Sequence, residues 1–408
     1  MALNEKKVKR LIDMMNEMTT VKIPPLQPVI RCFEAGMDED ILEYLLRVGT
    51  AGHSKETLER LYATMRATGE ISAKRSWDEL WDELMVMSFL IPQENADTYE
   101  LASIFPGWIE LATSGPRTEQ RIAIMENFME FWQLLKKLNK PLIRQLTDAK
   151  GAKKRDAGLA AMATLTAVTP ARDASHRASN HTDRIPGAAR SISVDEPLTS
   201  EQRVLTKGTA FEILARHKDS IAAMNCICRN HREIATGETC DQGIPLQSCM
   251  PVGAIARQLV ESGVARPVPY EEAVAMIEDF ERKGCIHTTF HYAGKADHEA
   301  MAICNCCTDC CLLYGGWQKG YVSKVQVKSF SRPAIVDEKA CTGCNLCGKF
   351  CPTKAICFDK RTGRLSFSYE NCIGCGQCVT QCPTGVQRMV ADERAVYVKT
   401  RKPSEADA

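Results

Sequence analysis

The uneven distribution of cysteine constrains the fold of this chain more than any other feature of its sequence. Of twenty cysteines, Cys32 alone lies in the first 225 residues, and the other nineteen fall between Cys226 and Cys382. A disulfide scaffold requires a secretory setting, but the N-terminal sequence has no apolar signal core. Reduced thiols in this number are typical of metal binding. We therefore expect a cytoplasmic protein whose C-terminal half binds metal.

Length and composition set the number of domains and disfavour two classes of partner. With 408 residues, 44% of them hydrophobic, the chain is long enough for two or three domains with sizeable cores. Its 52 basic and 51 acidic residues give a net charge of +1, so the chain as a whole does not attract nucleic acid or anionic membranes. No stretch approaches about 18 consecutive apolar residues, and no transmembrane segment is predicted.

A motif of four cysteines and a proline occurs twice near the C-terminus. Each copy follows the pattern Cys-x2-Cys-x2-Cys-x3-Cys-Pro, and the second copy begins 31 residues after the first. The two copies are Cys341, Cys344, Cys347 and Cys351, then Cys372, Cys375, Cys378 and Cys382. Over about residues 330–390 the chain thereby resembles the bacterial-type ferredoxin family with two [4Fe-4S] clusters. A single Cys-x2-Cys pair also suits a zinc ribbon, but two complete runs in tandem favour the ferredoxin.

This resemblance implies two [4Fe-4S] clusters, each of which takes its fourth ligand from the other run. The ligands implied for cluster 1 are Cys341, Cys344, Cys347 and Cys382. Those implied for cluster 2 are Cys372, Cys375, Cys378 and Cys351. Between the runs, segments 355–358 and 364–368 flank a turn and predict a hairpin. Cys357 lies outside the motif in this hairpin, and we interpret it as a small buried hydrophobic residue.

Nine further cysteines precede the ferredoxin-like segment, which is far more than packing requires. They are Cys226, Cys228, Cys240, Cys249, Cys304, Cys306, Cys307, Cys310 and Cys311. One possibility is a site formed by the first four with a second site in the run 304–311; another is that both groups converge on one site. Adjacent cysteines point in different directions, so the run 304–311 does not easily serve one metal. We expect one or two further iron–sulfur clusters, and zinc or a redox-active thiol pair are the alternatives.

Other residues that bind metal in many proteins carry weaker signals here. His287 and His291 are four residues apart, but the Thr-Thr-Phe sequence between them predicts a strand rather than one helix face. We therefore expect structural or surface roles for these two histidines and for His298, and we interpret Cys285 and Cys32 as core residues. No residue is identified as catalytic. Neither a dinucleotide-binding glycine motif nor a phosphate-binding Gly-Lys-Ser/Thr loop is present, so neither ligand is indicated.

The N-terminal part predicts several helices followed by a hairpin. The predicted helices cover Asn4–Met18, Asp38–Val48, Ser54–Met65 and a segment capped by Ser76. Residues 89–92 and 99–101 predict two short strands, and residues 105–146 predict a helical extension.

This order of elements is typical of a winged-helix module, which in many proteins binds DNA. The helix that would enter the groove carries four acidic residues. Only two basic residues, Lys74 and Arg75, lie near its start. The acids are Asp78, Glu79, Asp82 and Glu83. Because this face would repel phosphate, a protein-contact module is favoured and DNA binding is disfavoured.

Together these patterns predict an α+β multidomain protein. Its N-terminal domain (1–146) would be mainly helical and winged-helix-like, and residues 147–200, rich in Ala, Thr, Ser and Arg, would form a flexible linker. A cysteine-rich and metal-binding domain would occupy 201–329, and a two-[4Fe-4S] ferredoxin domain 330–400.

The whole chain also looks like a little-characterised group of larger [4Fe-4S]-binding proteins of anaerobic bacteria, a likeness that supplies no reaction. It rests on the winged-helix-like start, Cys226-x-Cys228-Arg229, the paired cysteines at 306–311 and the terminal repeats. The Cys-Cys-Gly signature of heterodisulfide reductases is absent, since Thr308 follows Cys307 and Leu312 follows Cys311.

We expect an iron–sulfur electron-transfer protein that acts as a carrier or as the electron-input component of an anaerobic oxidoreductase, with redox proteins as partners. Two alternatives remain open: a redox-sensing winged-helix transcriptional regulator, and an iron–sulfur reductase with its active site in the middle domain. The sequence does not predict the oligomeric state.

Overall fold

The structure is a computed structural model in which helices and strands are mixed along the chain. It describes residues 3–18, 23–72, 74–93, 97–147, 202–291, 300–312, 329, 331–369 and 371–391. The linker predicted at 147–200 lies outside these residues, except for Thr147 at the end of a helix. Among the helices in these ranges, none combines the length and the apolar character that a bilayer-spanning segment needs.

The part of the chain before residue 148 is mainly helical. The helices are α1 Glu5–Glu17, α2 Gln27–Gly36, α3 Glu39–Val48, α4 Lys55–Thr68, α5 Trp77–Val86, α6 Ile109–Thr113 and α7 Glu119–Thr147. Strands β1 Leu90–Pro92 and β2 Tyr99–Leu101 pair antiparallel after α5. The hairpin and the helical extension that the sequence predicts are therefore confirmed.

Four of these helices are preceded by a polar N-cap residue, whose side chain accepts hydrogen bonds from backbone N–H groups of the first turn. The capping residues are Asn4, Asp38, Ser54 and Ser76. At α5 the cap is reciprocal, because the Glu79 side chain also accepts from the backbone N–H of Ser76. Since these N–H groups have no partner within the helix, each cap stabilises its helix by about 1 kcal/mol. The helices predicted at these positions are confirmed.

Helix α2 is not among the helices predicted from the sequence. Pro28 lies in its first turn, where the missing N–H group costs no hydrogen bond. The helix packs against α7, and Arg31 Nε donates to Asn127 Oδ1 across this interface at 2.8 Å. Its apolar face covers Trp108, whose ring is fully buried and lies 4.4 Å from that of Phe33, centroid to centroid. The stability of α2 therefore depends on contacts distant in sequence.

The middle part of the chain is built on a six-stranded antiparallel sheet in the order β3-β7-β8-β5-β4-β6. The strands are β3 Gln202–Val204, β4 Ala222–Asn225, β5 Gln247–Pro251, β6 Arg266–Pro267, β7 Ile286–His291 and β8 Ala300–Cys306. The helices are α8 Lys207–Arg216, α9 Ile227–Thr236, α10 Gly253–Glu261 and α11 Tyr270–Arg282. The strand predicted between His287 and His291 is confirmed.

Hydrogen bonds join the N-terminal part to the middle part. Arg117 Nε donates to Asn230 Oδ1 at 2.8 Å, and the backbone N–H of Asn225 donates to the carbonyl of Ser114 at 3.1 Å. On the other side, Gln258 Nε2 of α10 donates to the carbonyl of Leu90 in β1 at 3.1 Å. Helix α10 therefore rests against the hairpin β1–β2.

The C-terminal part consists of two antiparallel strand pairs and two short helices. Strands β9 Ser331–Ile335 and β12 Gln387–Ala391 form one pair, and β10 Ile356–Asp359 and β11 Arg364–Phe367 form the predicted hairpin. Helices α12 Leu346–Phe350 and α13 Gln377–Thr380 each follow the first cysteines of a run. The interpretation of Cys357 as a buried residue is wrong: it is exposed on β10, and its Sγ lies 2.9 Å from Ser366 Oγ. The hairpin has an uncovered face, and Cys357 lies on it.

Candidate metal centres

The first cysteine run forms a loop that closes around a small cavity. The cavity is lined by the thiols of Cys341, Cys344, Cys347 and Cys382, together with Asn345, Phe358 and Val386. Gly343 has a φ of +69°, and a Cβ there would lie 2.8 Å from the ring of Phe358, so glycine is required for the loop to pass this close. The fourth thiol of the cavity thus comes from the second run.

The second run is more deeply buried and has Cys351 of the first run as a neighbour. Burial, together with the nearby Cys372 and Cys351 thiols, raises the pKa of the Cys378 thiol to about 12. Burial likewise raises the pKa of Cys375. Such thiols become thiolates only where a cation compensates the charge, which is what an iron site provides.

Backbone N–H groups point at sulfur in both runs. The N–H of Ala355 donates to Cys351 Sγ at 3.1 Å, and that of Gly374 donates to Cys372 Sγ at 3.4 Å. Hydrogen bonds of this kind stabilise negative charge on sulfur and tune the potential of an iron–sulfur centre. The donor set and its surroundings therefore fit two iron–sulfur clusters.

Six of the nine middle cysteines form one connected group, here called the six-thiol group. Its members are Cys226, Cys228, Cys249, Cys304, Cys306 and Cys311. Hydrogen bonds between thiols link Cys228 to both Cys226 and Cys311, and Cys304 to both Cys249 and Cys306. The Sγ atoms of Cys304 and Cys306 lie 3.2 Å apart. Cys306 is also linked to Cys311, so the six thiols form one continuous set of neighbours.

The remaining three cysteines form a separate three-thiol group, which consists of Cys240, Cys307 and Cys310. Their Sγ atoms all lie within 4.8 Å of one another, and those of Cys240 and Cys307 are 3.8 Å apart. Hydrogen bonds from the other two thiols lower the pKa of Cys307 to about 3. The same contacts raise the pKa of Cys310, so Cys307 is the thiol of this pair whose deprotonation they favour.

The division into six and three differs from both groupings considered from the sequence. Strands β5 and β8 pair so that Cys249 lies opposite Cys304, which joins the early and late cysteines. Strand β8 ends at Cys306, and the chain then turns so that Cys307 joins Cys240 rather than Cys226. Adjacent cysteines accordingly belong to different groups, as expected from their opposed directions.

The guanidinium of Arg229 lies between the two thiol groups and is 2% exposed. Arg229 Nη1 donates to Ser248 Oγ at 2.6 Å, and Nη2 donates to the carbonyl of Asn305 at 2.9 Å. Burial opposes its charge, but the neighbouring thiols of Cys226 and Cys307 outweigh this effect and raise its pKa. The sequence places Arg229 in a Cys-x-Cys-Arg motif, and the fold places its charge beside thiols of both groups.

The other residues considered from the sequence lie apart from these groups or beside them. Cys32 is fully buried in the N-terminal core, and its Sγ donates to the carbonyl of Pro28 at 3.2 Å. Cys285 is also fully buried, but it packs in one cluster with Cys240 and Cys307. His287 is buried on β7, where Nδ1 contacts Asn305 Oδ1 at 2.7 Å and burial lowers its pKa. The side chain of His291 and the whole of His298 lie outside the described residues.

The second ferredoxin run lies against the six-thiol group. Ile373 and Cys375 belong to one buried cluster with Cys306 and Cys311. In contrast, Cys344 of the first run is exposed. The second run of the C-terminal part thus lies next to the middle part, and the first run lies nearer to solvent at Cys344.

Comparison with known proteins identifies the C-terminal segment. Residues 340–386 match the family described as the 4Fe-4S dicluster domain. The polyferredoxin-like subunit of the aliphatic sulfonate oxidoreductase of Pyrococcus furiosus is 40% identical over 52 residues, which are 13% of this chain and 30% of that protein. The iron–sulfur subunit of the nitrate-inducible formate dehydrogenase of Escherichia coli is 37% identical over 51 residues, 12% of this chain and 17% of that protein.

A shorter relative is covered more completely. Pyruvate synthase subunit PorD of Methanocaldococcus jannaschii is 35% identical over 60 residues, which are 15% of this chain and 69% of that protein. No solved structure matches the chain. The chain thus spans less than a third of the first two relatives, and each of the three similarities covers 15% of this chain or less.

Proposed function

Because this chain belongs to the iron–sulfur proteins with a 4Fe-4S dicluster domain, carried at residues 340–386, we propose that it transfers electrons as a carrier or as the electron-input component of an oxidoreductase. When bound, [4Fe-4S] clusters supply reversible one-electron transfer. The observation that carries the proposal is the junction at which Ile373 and Cys375 pack with Cys306 and Cys311. It places one ferredoxin thiol set directly against a second group of thiols.

We assign the ligands of the dicluster domain as the ferredoxin resemblance implies. Cluster 1 would be held by Cys341, Cys344, Cys347 and Cys382, and cluster 2 by Cys372, Cys375, Cys378 and Cys351. The cavity lined by the first four thiols supports the first set. The influence of Cys372 and Cys351 on the pKa of Cys378 supports the second.

The six-thiol group would hold at least one further iron–sulfur cluster. Support comes from the chemistry of its surroundings: a buried guanidinium, that of Arg229, has thiols as the neighbours that raise its pKa. A buried positive charge without an anionic partner costs several kcal/mol, so an anionic site there stabilises the fold. Thiolates bound to iron meet this requirement, whereas neutral thiols do not.

The positions of these thiols support an order for the three proposed iron sites. Cys344 is exposed, so the first ferredoxin set is accessible to a redox partner from solvent. The second set lies beside the six-thiol group through Ile373. Electrons would therefore pass between a partner at the C-terminal surface and the middle part of the chain, where an acceptor or an active site would lie. The reductase alternative draws its support from the same junction.

We further propose that the N-terminal part is a winged-helix-like protein-contact module rather than a DNA reader. Helices α3, α4 and α5 precede the hairpin β1–β2, and an isolated bridge between His53 and Tyr99 adds a third strand position. Helix α5, which would enter a DNA groove, forms one wall of a cleft whose other wall is α10, through Arg257 and Gln258. Retention on duplex DNA at low salt tests this proposal: salt-sensitive binding would favour the regulator, and its absence the contact module.

Anaerobic purification of the full chain, followed by iron and sulfide analysis, tests the electron-transfer proposal. We expect about twelve iron atoms per chain, of which about eight belong to the dicluster domain and about four to the six-thiol group. The reduced protein should show the paramagnetic signals of more than two clusters. A protein with about eight irons would refute the middle cluster, and one without reducible iron would refute electron transfer. We expect the chain to work in a reducing cytoplasm, where its thiols remain available for metal.

A further inference from the structure

The three-thiol group has the dimensions of a site for one metal ion rather than for a cluster. A tetrahedral ion with metal–sulfur bonds of about 2.3 Å holds its thiolates about 3.8 Å apart. The Sγ atoms of Cys240 and Cys307 are 3.8 Å apart, and all three Sγ atoms lie within 4.8 Å of one another. A cubane takes four thiolates, whereas this group offers three in the described part of the chain, which favours one ion.

The loops that carry the three thiols are fixed to each other by polar contacts. Gln242 Oε1 accepts a hydrogen bond from the backbone N–H of Thr308 at 3.0 Å, and the Asp309 carboxylate accepts one from the N–H of Asp241 at 2.9 Å. Asp309 is also paired with Arg232. These contacts hold residues 240–242 against residues 307–310, so the thiols are brought together before any metal binds.

A backbone hydrogen bond to sulfur also marks this group as a thiolate site. The N–H of Cys310 donates to Cys307 Sγ at 3.2 Å, across the Cys-x2-Cys spacing that is common in structural zinc sites. Arg232 pairs with Asp309, Asp241 and Glu238, so it ties this loop to residues 238–241.

The three thiols differ in how far they are buried. Cys240 and Cys307 are buried, but Cys310 is only partly buried, so the group opens on the side of Cys310. In the part of the chain that the structure describes, the metal-ligating atoms that all lie within 4.8 Å of one another here are these three thiols. The Asp309 carboxylate accepts a hydrogen bond from Cys310 Sγ at 3.3 Å, but it is already engaged by the N–H of Asp241 and by Arg232. Cys285 packs nearby, but its Sγ is directed to Arg229 Nη2, 3.8 Å away.

We propose that Cys240, Cys307 and Cys310 bind one divalent metal ion of zinc type, with three protein thiolates and a fourth position open to water or to a small thiol. Three protein ligands with one open position are characteristic of zinc sites that act on a bound molecule, whereas structural sites are closed by four. This site is independent of the electron-transfer proposal, because it holds zinc and not iron.

Metal analysis of the full chain, purified anaerobically, tests the site. We expect about one zinc ion per chain beside the iron. Cys310→Ala should lose this zinc while its iron content stays the same, and Cys310→His, which offers another zinc ligand, should retain it. Cys357→Ala, which removes an exposed cysteine on β10, is the matched control and should change neither metal. The unchanged iron would show that the variants are folded.

Several outcomes would overturn the proposal. They are a wild-type protein without zinc, a Cys310→Ala protein that retains it, and a loss of about three or four irons in Cys310→Ala, which would indicate a cluster instead.

Replacement of the zinc by Co²⁺ tests the open position through its visible spectrum. We expect a tetrahedral spectrum that changes when 2-mercaptoethanol is added and that is the same in Cys285→Ala. If the added thiol leaves the spectrum unchanged, or if Cys285→Ala alters it, the tetrahedron is already closed and the open position is refuted.

Discussion

The side chain of Gln377, at the start of helix α13, donates a hydrogen bond from Nε2 to the backbone carbonyl of Cys285 at 2.6 Å. The same nitrogen also donates to the carbonyl of Glu281 at 3.1 Å, and Gln377 is 1% exposed. One amide thus satisfies two carbonyls near the end of α11 and joins the C-terminal part to the middle part. It lies between Cys375 and Cys378, so it also fixes the distance between the second ferredoxin run and the six-thiol group.

Replacement of Gln377 by leucine should loosen this junction. Because buried carbonyls would lose their donor, we expect a loss of about 1–3 kcal/mol in the stability of the C-terminal part. The measurement is the urea midpoint at which cluster absorbance is lost. Gln381→Leu is the control: Gln381 Nε2 donates at 2.9 Å to the carbonyl of Arg282 at an exposed position, so its loss should cost less. Equal midpoints for the two variants would contradict a special role for Gln377.

The crossed ligand assignment predicts which cysteine variants resemble each other. Cys382→Ser should alter the same cluster as Cys341→Ser, because both thiols line one cavity. Cys351→Ser should alter the other cluster. Each variant should lose up to about four iron atoms, which electron paramagnetic resonance of the reduced protein can assign. If Cys382→Ser instead matched Cys372→Ser, each run would hold its own cluster.

Removal of the positive charge of Arg229 should make the middle cluster harder to reduce. Reduction adds negative charge beside the buried guanidinium, and this positive charge favours the reduced cluster. Arg229→Met should therefore lower the reduction potential by about 60 mV or more, which corresponds to a tenfold change in the equilibrium constant of a one-electron reduction. Arg229→Lys keeps the charge and should keep most of the potential. A redox titration of the full chain measures both. Similar potentials in the wild type and in Arg229→Met would mean that no cluster lies beside this residue.

Acidification should destabilise the middle part through His287. Burial lowers the pKa of His287 below its ordinary 6.5 in the folded chain, so the unfolded chain binds the extra proton. The contribution of His287 to the free energy of unfolding is therefore unaffected above about pH 6.5. The free energy of unfolding falls as the pH decreases from there towards the folded pKa. Urea unfolding at a series of pH values measures how steeply the free energy of unfolding changes with pH. In His287→Asn, whose amide can still donate towards Asn305 Oδ1, the part of the slope due to this residue should be absent.

The ferredoxin-like run was predictable from the sequence because its ligand spacing is local. For the first cluster, the spacing of Cys341, Cys344 and Cys347 is enough to predict three ligands from one loop. The fourth ligand, Cys382, was expected only because the chain resembles a ferredoxin family. The helices begun by Asn4 and Ser76 were predictable for the same local reason, since a cap and an apolar periodicity lie within a few residues.

The grouping of the middle cysteines was not predictable in this way. It depends on the register that sets Cys249 opposite Cys304, and no local pattern determines this register. The exposure of Cys357 was missed because alternation along a strand does not tell which face of a two-stranded hairpin is covered. Helix α2 was not predicted; its contacts with α7 and Trp108 are distant in sequence, and no local pattern shows them.

The cysteines of the six-thiol group begin at Cys226 and end at Cys311, and they come from the start of α9, from β5 and from β8 and the turn that follows it. During synthesis the chain cannot present this set until residue 311 has left the ribosome and β8 has paired with β5. Any metal bound by the whole set would therefore be acquired after most of the chain has been translated, and a truncated product would carry Cys226 and Cys228 without the later thiols.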